Sequence, residues 1–270
     1  MYKDFHTYLL SMKLLLSDKT KKDTFISVFY MLKNCTSVVT IIFKNEELYI
    51  QGLDKAHVCL FEVRLKKNWF NEYESFATLE KDEIITIDSC IFYNILSIIE
   101  EKQTLCLWYD SGDQLNIEYN STKNDKGDLN KFFHLPLVDM EFNLLEIPEI
   151  ENDVDFSMKS KKICDITSQL LIFGDIMNIK CSEDEISISC KGINGEMIVS
   201  IPIDDLSDYS IAEGETINVG YSLTYLSKMC MTTKLSPEIE FGVSAEYPMR
   251  IKYNLGEGSQ FLFFIAPKIE

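Results

Sequence analysis

One order of hydrophobic pattern runs along this chain twice, and that repetition limits the folds open to it. Four stretches place apolar residues at helical spacing. FISVFYMLKN aligns Phe25, Val28, Phe29 and Leu32, and SCIFYNILSIIEE aligns Phe92, Ile95, Leu96 and Ile99. KKICDITSQLLIF aligns Ile163, Ile166 and Leu170, and YSLTYLSKMC aligns Leu223, Leu226 and Met229. Between them the period is two, as in EISISCKG and EYPMRIKY. SGD, NDKGD, NGE and GEGS supply turns. The order is strand, helix, several strands, helix, several strands, and then the same again. The halves meet at about residues 135–153, an acidic and apolar stretch with Pro136 and Pro148 that reads as an extended connector. The expectation is a duplicated α+β fold, two similar domains each with two helices packed on antiparallel sheets.

Charge and chemistry narrow the function. A net charge of −17 keeps the chain soluble and repels nucleic acid as a whole, so a contact with DNA needs its lysines gathered on one face. No apolar run is long enough to span a membrane, and MYKDFHTYLLSMKLLL lacks the form of a secretory signal. The eight cysteines form no CxxC pair, which speaks against a zinc ribbon and for a reducing compartment. His6, His57 and His134 form no metal spacing, and there is no nucleophile elbow, Walker loop or dinucleotide fingerprint. The acidic runs Glu183-Asp184-Glu185 and Asp204-Asp205 lack a calcium-loop frame and read as solvated surface. The expectation is a protein that is not an enzyme and that uses no cofactor or metal.

Two lysine clusters occupy corresponding places in the halves. Lys19, Lys21 and Lys22 precede the first helix, and Lys159, Lys161 and Lys162 open the third. Lys33, Lys228 and Lys234 lie on or beside the helices. They are either ordinary solubilising charges or a surface for phosphate contact without sequence readout. The final FFIAPKIE, with its four apolar residues before Pro267, suggests a packed last strand or a surface kept for a partner.

Three segments resemble the proliferating cell nuclear antigen family of DNA sliding clamps. They are LYIQGLDKAHVCLFEVRL at 48–65, LLEIPEIE at 144–151, and SAEYPMRIKY with the terminal FFIAPKIE; FGDIMNIKC at 173–181 is a weaker fourth. The resemblance implies the DNA-clamp fold. A short N-terminal extension, residues 1–11, precedes clamp domain 1 (12–134), the interdomain connector (135–153) and clamp domain 2 (154–270). It implies a head-to-tail homotrimeric ring around duplex DNA, helices lining the hole, opened by a clamp-loader ATPase. The implied role is a processivity factor for DNA polymerase and repair proteins. It also implies a hydrophobic pocket for partners that carry the family's interaction motif. Residue by residue that pocket is Leu53, His57, Val58, Leu145, Ile147, Pro148, Pro248, Phe264, Ala266, Pro267 and Ile269.

The nine lysines named above would make weak, salt-dependent DNA contact. Subunits would meet through Lys131, Phe132, Phe133 and His134 on one side and Ile193, Gly195, Met197 and Val199 on the other. Departures from the family are a Phe264 where tyrosine is usual, and neutral or acidic residues at lining positions Ile26, Ser27, Asn94, Ser97, Asp165, Ser168, Thr224 and Met231. Glu183 stands at the family's modified lysine, so modification there is not expected. The depleted lining leaves open a clamp-fold accessory that does not slide, or one subunit of a heterotrimeric checkpoint-type clamp. The lysine-, asparagine- and isoleucine-rich composition suggests a large DNA virus or an AT-rich protist, with action in the nucleus or at a viral replication site.

Overall fold

A computed structural model describes residues 11–75, 82–121, 129–147 and 150–268. The first half runs β1 (Met12–Leu16), α1 (Lys19–Cys35), β2 (Val38–Phe43), β3 (Glu47–Leu53), β4 (Cys59–Lys66), β5 (Glu72–Ser75), β6 (Glu83–Asp88), α2 (Ser89–Ser97), β7 (Gln103–Tyr109), β8 (Gln114–Ser121) and β9 (Lys131–Pro136). The second runs β10 (Val154–Lys159), α3 (Ser160–Leu170), β11 (Ile176–Cys181), β12 (Glu185–Gly192), β13 (Gly195–Pro202), β14 (Asp208–Ile211), β15 (Ile217–Ser222), α4 (Leu223–Met229), β16 (Glu238–Val243), β17 (Met249–Gly256) and β18 (Ser259–Ile265). Among the described residues both halves follow one succession: a strand, a helix, five strands, a helix, three strands. The duplication read from the hydrophobic pattern is present element for element.

The chain forms two compact units. The first holds the described residues up to Gln51, with Val63–Leu144 and Gly256–Ser259. Its five-stranded antiparallel sheet has the order β5-β1-β7-β8-β9, and β3, β2 and β6 lie side by side in another. Helix α1 starts before its apolar stripe, because the Asp18 carboxylate accepts the Lys21 N–H at 2.9 Å and caps it. Phe25, Val28, Phe29 and Leu32 are fully buried, and Phe29 meets Phe92 of α2 edge to face at 4.6 Å. Burial of each such side chain contributes about 1.5–3 kcal/mol.

The second unit holds Gly52–Glu62, Leu145–Leu255 and Gln260–Glu270. Its four-stranded sheet has the order β13-β12-β11-β15, and β14-β10-β16-β17-β18 are neighbours in the other. Helix α3 buries Ile163, Ile166 and Leu170, and α4 buries Leu223, Leu226 and Met229, as their spacing predicts. Gly192, beside the β12–β13 turn, lies so near Phe173 that an added Cβ would meet its carbonyl oxygen at 1.9 Å. No helix among the described residues is long and apolar enough to cross a membrane.

None of the eight cysteines forms a disulfide, and most are core residues. Burial pushes the thiols of Cys181 and Cys230 up to about 12 and that of Cys106 up to about 11. Alkylation of the native protein at pH 8 should therefore mark exposed Cys90 first, then Cys164, and spare Cys181 and Cys230. Equal labelling of Cys181 and Cys90 in a peptide mass map would contradict this packing. The raised values favour the neutral thiol in the folded state. Their contribution to stability is complete below pH about 9 and is lost as pH climbs toward about 12.

Candidate functional site

A groove of about 340 Å³ opens on the second unit. The turn between β3 and β4 forms one wall, and Asp54 builds that turn. Its buried carboxylate accepts the N–H groups of Val58 and Cys59 at 2.7 Å each and of Ala56 at 2.9 Å. Its backbone carbonyl accepts the His57 N–H at 3.0 Å. These bonds hold His57 at φ 57°, a left-handed conformation uncommon for a residue with a Cβ. The Tyr225 phenol of α4 feels the same carboxylate; burial, and then the Asp54 charge, raise it above the ordinary range.

The other wall is the last strand and the turn before β17. On β18, Phe261, Phe263 and Ile265 are fully buried, which leaves Phe264 on the opposite, groove-lining face. Beyond β18 the Ala266 N–H bonds to the Val58 carbonyl at 3.3 Å, and the Lys268 N–H to the Gly220 carbonyl of β15 at 2.8 Å. The tail is thus stitched to the second unit. Asp153 fixes the turn that carries Tyr247 and Pro248, accepting the Ser244 hydroxyl at 3.0 Å and the Ala245 N–H at 2.8 Å.

Of the residues expected to form a pocket, Leu53, His57, Val58, Ile147, Pro248, Phe264 and Ala266 line the groove together. Leu145 is 41% exposed and, like half-buried Pro267, is not among the lining residues. Pro148 and Ile269 lie outside the described residues. Leu60, Glu146, Ile150 and Tyr247 also line the groove and were not foreseen. Leu60 was discoverable, because β4 alternates and Cys59 and Phe61 point to the core. Asp54→Ala would strip three N–H groups of a charged acceptor. A loss of roughly 3 kcal/mol in a urea melt is expected, together with loss of groove function; a change below about 1 kcal/mol would mean the turn does not depend on this carboxylate.

The lysines divide into distinct environments. Lys22 requires a correction: it is 3% exposed, and its ammonium donates to the backbone carbonyls of Glu101, at 2.9 Å, and Gln103. Burial lowers its pKa, and it cannot reach a phosphate from there. Lys19 pairs with Glu101 at 3.0 Å, Lys21 with Glu257 at 2.9 Å, and Lys162 with Asp205 at 3.4 Å. Lys159, Lys161 and Lys234 are exposed. Lys33 and Lys228 lie over tyrosine rings of their own helices. Ser27, expected on a lining face, is buried and bonds back to the Asp23 carbonyl at 2.7 Å.

The two segments expected to meet between subunits are both sheet edges. In the first unit β9 is the end strand: Phe132 is 60% exposed, the Phe133 ring packs 5.1 Å from Tyr119, Lys131 pairs with Glu100, and His134 bonds to Asn116. In the second unit β13 is the end strand, with Gly195 at φ 126°, Met197 and Val199 half-buried and Ile198 62% exposed. Ile193, in the turn before it, is fully exposed. Among the described residues no cluster of three or more His, Cys, Asp or Glu side chains could hold a metal ion.

Comparison with known proteins places this arrangement. Residues 17–144 match the profile described as proliferating cell nuclear antigen, N-terminal domain, and residues 146–268 match its C-terminal domain. The chain belongs to the proliferating cell nuclear antigen family. It is 26% identical over 260 residues to proliferating cell nuclear antigen 2 of Plasmodium falciparum, covering 91% of this chain and 95% of that protein. It is 24% identical over 226 residues to the DNA polymerase sliding clamp of Thermococcus fumicolans, covering 84% and 87%. The crystal structure of proliferating cellular nuclear antigen from Entamoeba histolytica shares its fold, with a TM-score of 0.84 at 20% identity over 97% of this chain and all of the other. The α+β clamp fold of the family therefore accounts for the duplicated element order.

Proposed function

We propose that this protein is a DNA polymerase processivity factor, a sliding clamp that encircles duplex DNA. The observation that carries the reading is the family match, unbroken across both halves, to proteins that include named DNA polymerase sliding clamps. It supports this role over a clamp-fold accessory that does not slide. The groove is the site at which polymerase and repair proteins bearing an apolar and aromatic motif are tethered. Tethering raises the local concentration of the partner, so the clamp needs no catalytic residue and no cofactor. Three subunits, each with clamp domains at 12–134 and 154–270, close head to tail through β9 of one and β13 of the next. A loader ATPase opens the ring, and the work is done in the nucleus or at a viral replication site. Exposed lysines on the helices give weak phosphate contact without base readout, which lets the ring move along the duplex.

Encirclement has a topological test. On linear primed DNA, concentrated clamp threads over the ends and lengthens the product that a motif-bearing polymerase makes per binding event. Blocking both ends with bulky protein removes that gain when no loader is present. Stimulation that survives the block would show that the protein acts without surrounding DNA.

A further inference from the structure

The outward stripe of the first helix pair holds one lysine in a way that ion pairing does not explain. Tyr30 and Lys33 lie about a turn apart on α1, and Tyr93 lies on α2. The two phenol rings are 5.5 Å apart between centroids and inclined at 48°. The Lys33 ammonium sits 3.7 Å from the Tyr93 centroid and 5.2 Å from that of Tyr30. All three side chains are half-buried, so they are held yet reachable.

The contrast with Lys19, Lys21 and Lys162 is chemical. Their ammonium groups sit against carboxylates, which cancel the charge and must be displaced before a phosphate can bind. An aromatic face attracts a cation through its quadrupole and carries no net charge. The full positive charge of Lys33 is left to act on an anion. The rings also restrict a long side chain that otherwise loses considerable rotamer freedom on binding. The surroundings agree. Between them α1 and α2 contain one acidic residue, Asp23. Asn94, exposed on α2, adds a neutral amide that can donate to phosphate oxygens. Helix α4 repeats the pairing with one ring, Lys228 lying 5.7 Å from the Tyr225 centroid at the same sequence spacing.

We infer that Tyr30 and Tyr93 are positioning residues that hold Lys33 as a preformed contact for the phosphodiester backbone of duplex DNA. The inference rests on the sliding-clamp reading above. It concentrates the DNA contact of the first unit at one caged lysine in place of a broad basic lining.

The test is a titration of the full-length protein with a short fluorescent duplex at several salt concentrations. Lys33→Ala should reduce the slope of log affinity against log salt by about 0.9 for each phosphate that the ammonium no longer neutralises. The pair Tyr30→Leu with Tyr93→Leu leaves the charge but removes the cage, so affinity should fall about two- to fivefold with the slope nearly unchanged. Tyr30→Phe with Tyr93→Phe keeps both faces and should behave as the wild type. Weakening in the phenylalanine pair equal to that in the leucine pair would overturn the inference, because the hydroxyls would then touch the DNA. So would full affinity in the leucine pair, with folding of each variant checked by its melting curve. A wild type that binds no duplex even at low salt would refute the clamp reading and the cage together. A wild type that binds while all the variants match it would refute the cage alone.

Discussion

A protein carrying Ile147→Ser together with Phe264→Ala is expected to lose at least about a hundredfold in affinity for a peptide bearing aliphatic and aromatic anchors on one helical turn. Both side chains line the groove and both are half-buried, so a partner seated there would complete their burial. Anchors of this kind each contribute about 2 kcal/mol or more at a desolvated interface. The fold should hold. On the same strand Phe261, Phe263 and Ile265 carry the packing with no exposure, and the hydrogen bonds of the tail are made by backbone groups of Ala266 and Lys268. The melting temperature should therefore move by no more than about a few degrees. Fluorescence anisotropy with a labelled peptide reads the first quantity, and a thermal melt the second. Unchanged affinity would place partner binding elsewhere; collapse of the melt would mean that Phe264 belongs to the core.

The fold was legible because its signals are local and repeated. The stripe Phe25, Phe29, Leu32 and its counterparts mark helices at any depth of divergence, and the alternation of β12 and β17 marks strands. The groove was partly legible, since three segments far apart in sequence each keep a piece of it. Its rim was not. Tyr247 joins it through the turn that Asp153 holds, and Glu146 joins it from the stretch between the halves, about a hundred residues away in sequence. Lys22 shows a different failure. Its spacing to Phe25, Phe29 and Leu32 is three, seven and ten residues, which places it on the buried stripe. Charge argued for the surface, but two carbonyls at the start of β7 satisfy the ammonium inside. Helical period was the stronger signal. The tyrosine cage was hidden for the converse reason, because Tyr30 and Tyr93 meet only after two helices pack.

The largest change in assembly is expected from a charge placed on either sheet edge. Phe132→Asp on β9, or Ile198→Asp on β13, should lower the solution mass from about three times 31.2 kDa to 31.2 kDa. Both strands end their sheets and so present unpaired backbone groups on one side. Both carry apolar side chains that are more than half exposed, which a lone subunit would leave facing water. The proposed pairing of β9 of one subunit with β13 of the next would satisfy the edges and cover those side chains at once. An aspartate buried there without a partner costs about 3–5 kcal/mol at every such interface, and a closed ring repeats that interface around its circumference. In the separated subunit the same aspartate stands in water, so its melting curve should shift by no more than about 0.5 kcal/mol in stability. Light scattering on a sizing column across a dilution series reads the mass directly. A substituted protein that remains trimeric would show that these edges do not meet. A wild type that is monomeric at every concentration would remove the closed homotrimeric ring, and the duplex would then have to be held by a ring completed with other subunits.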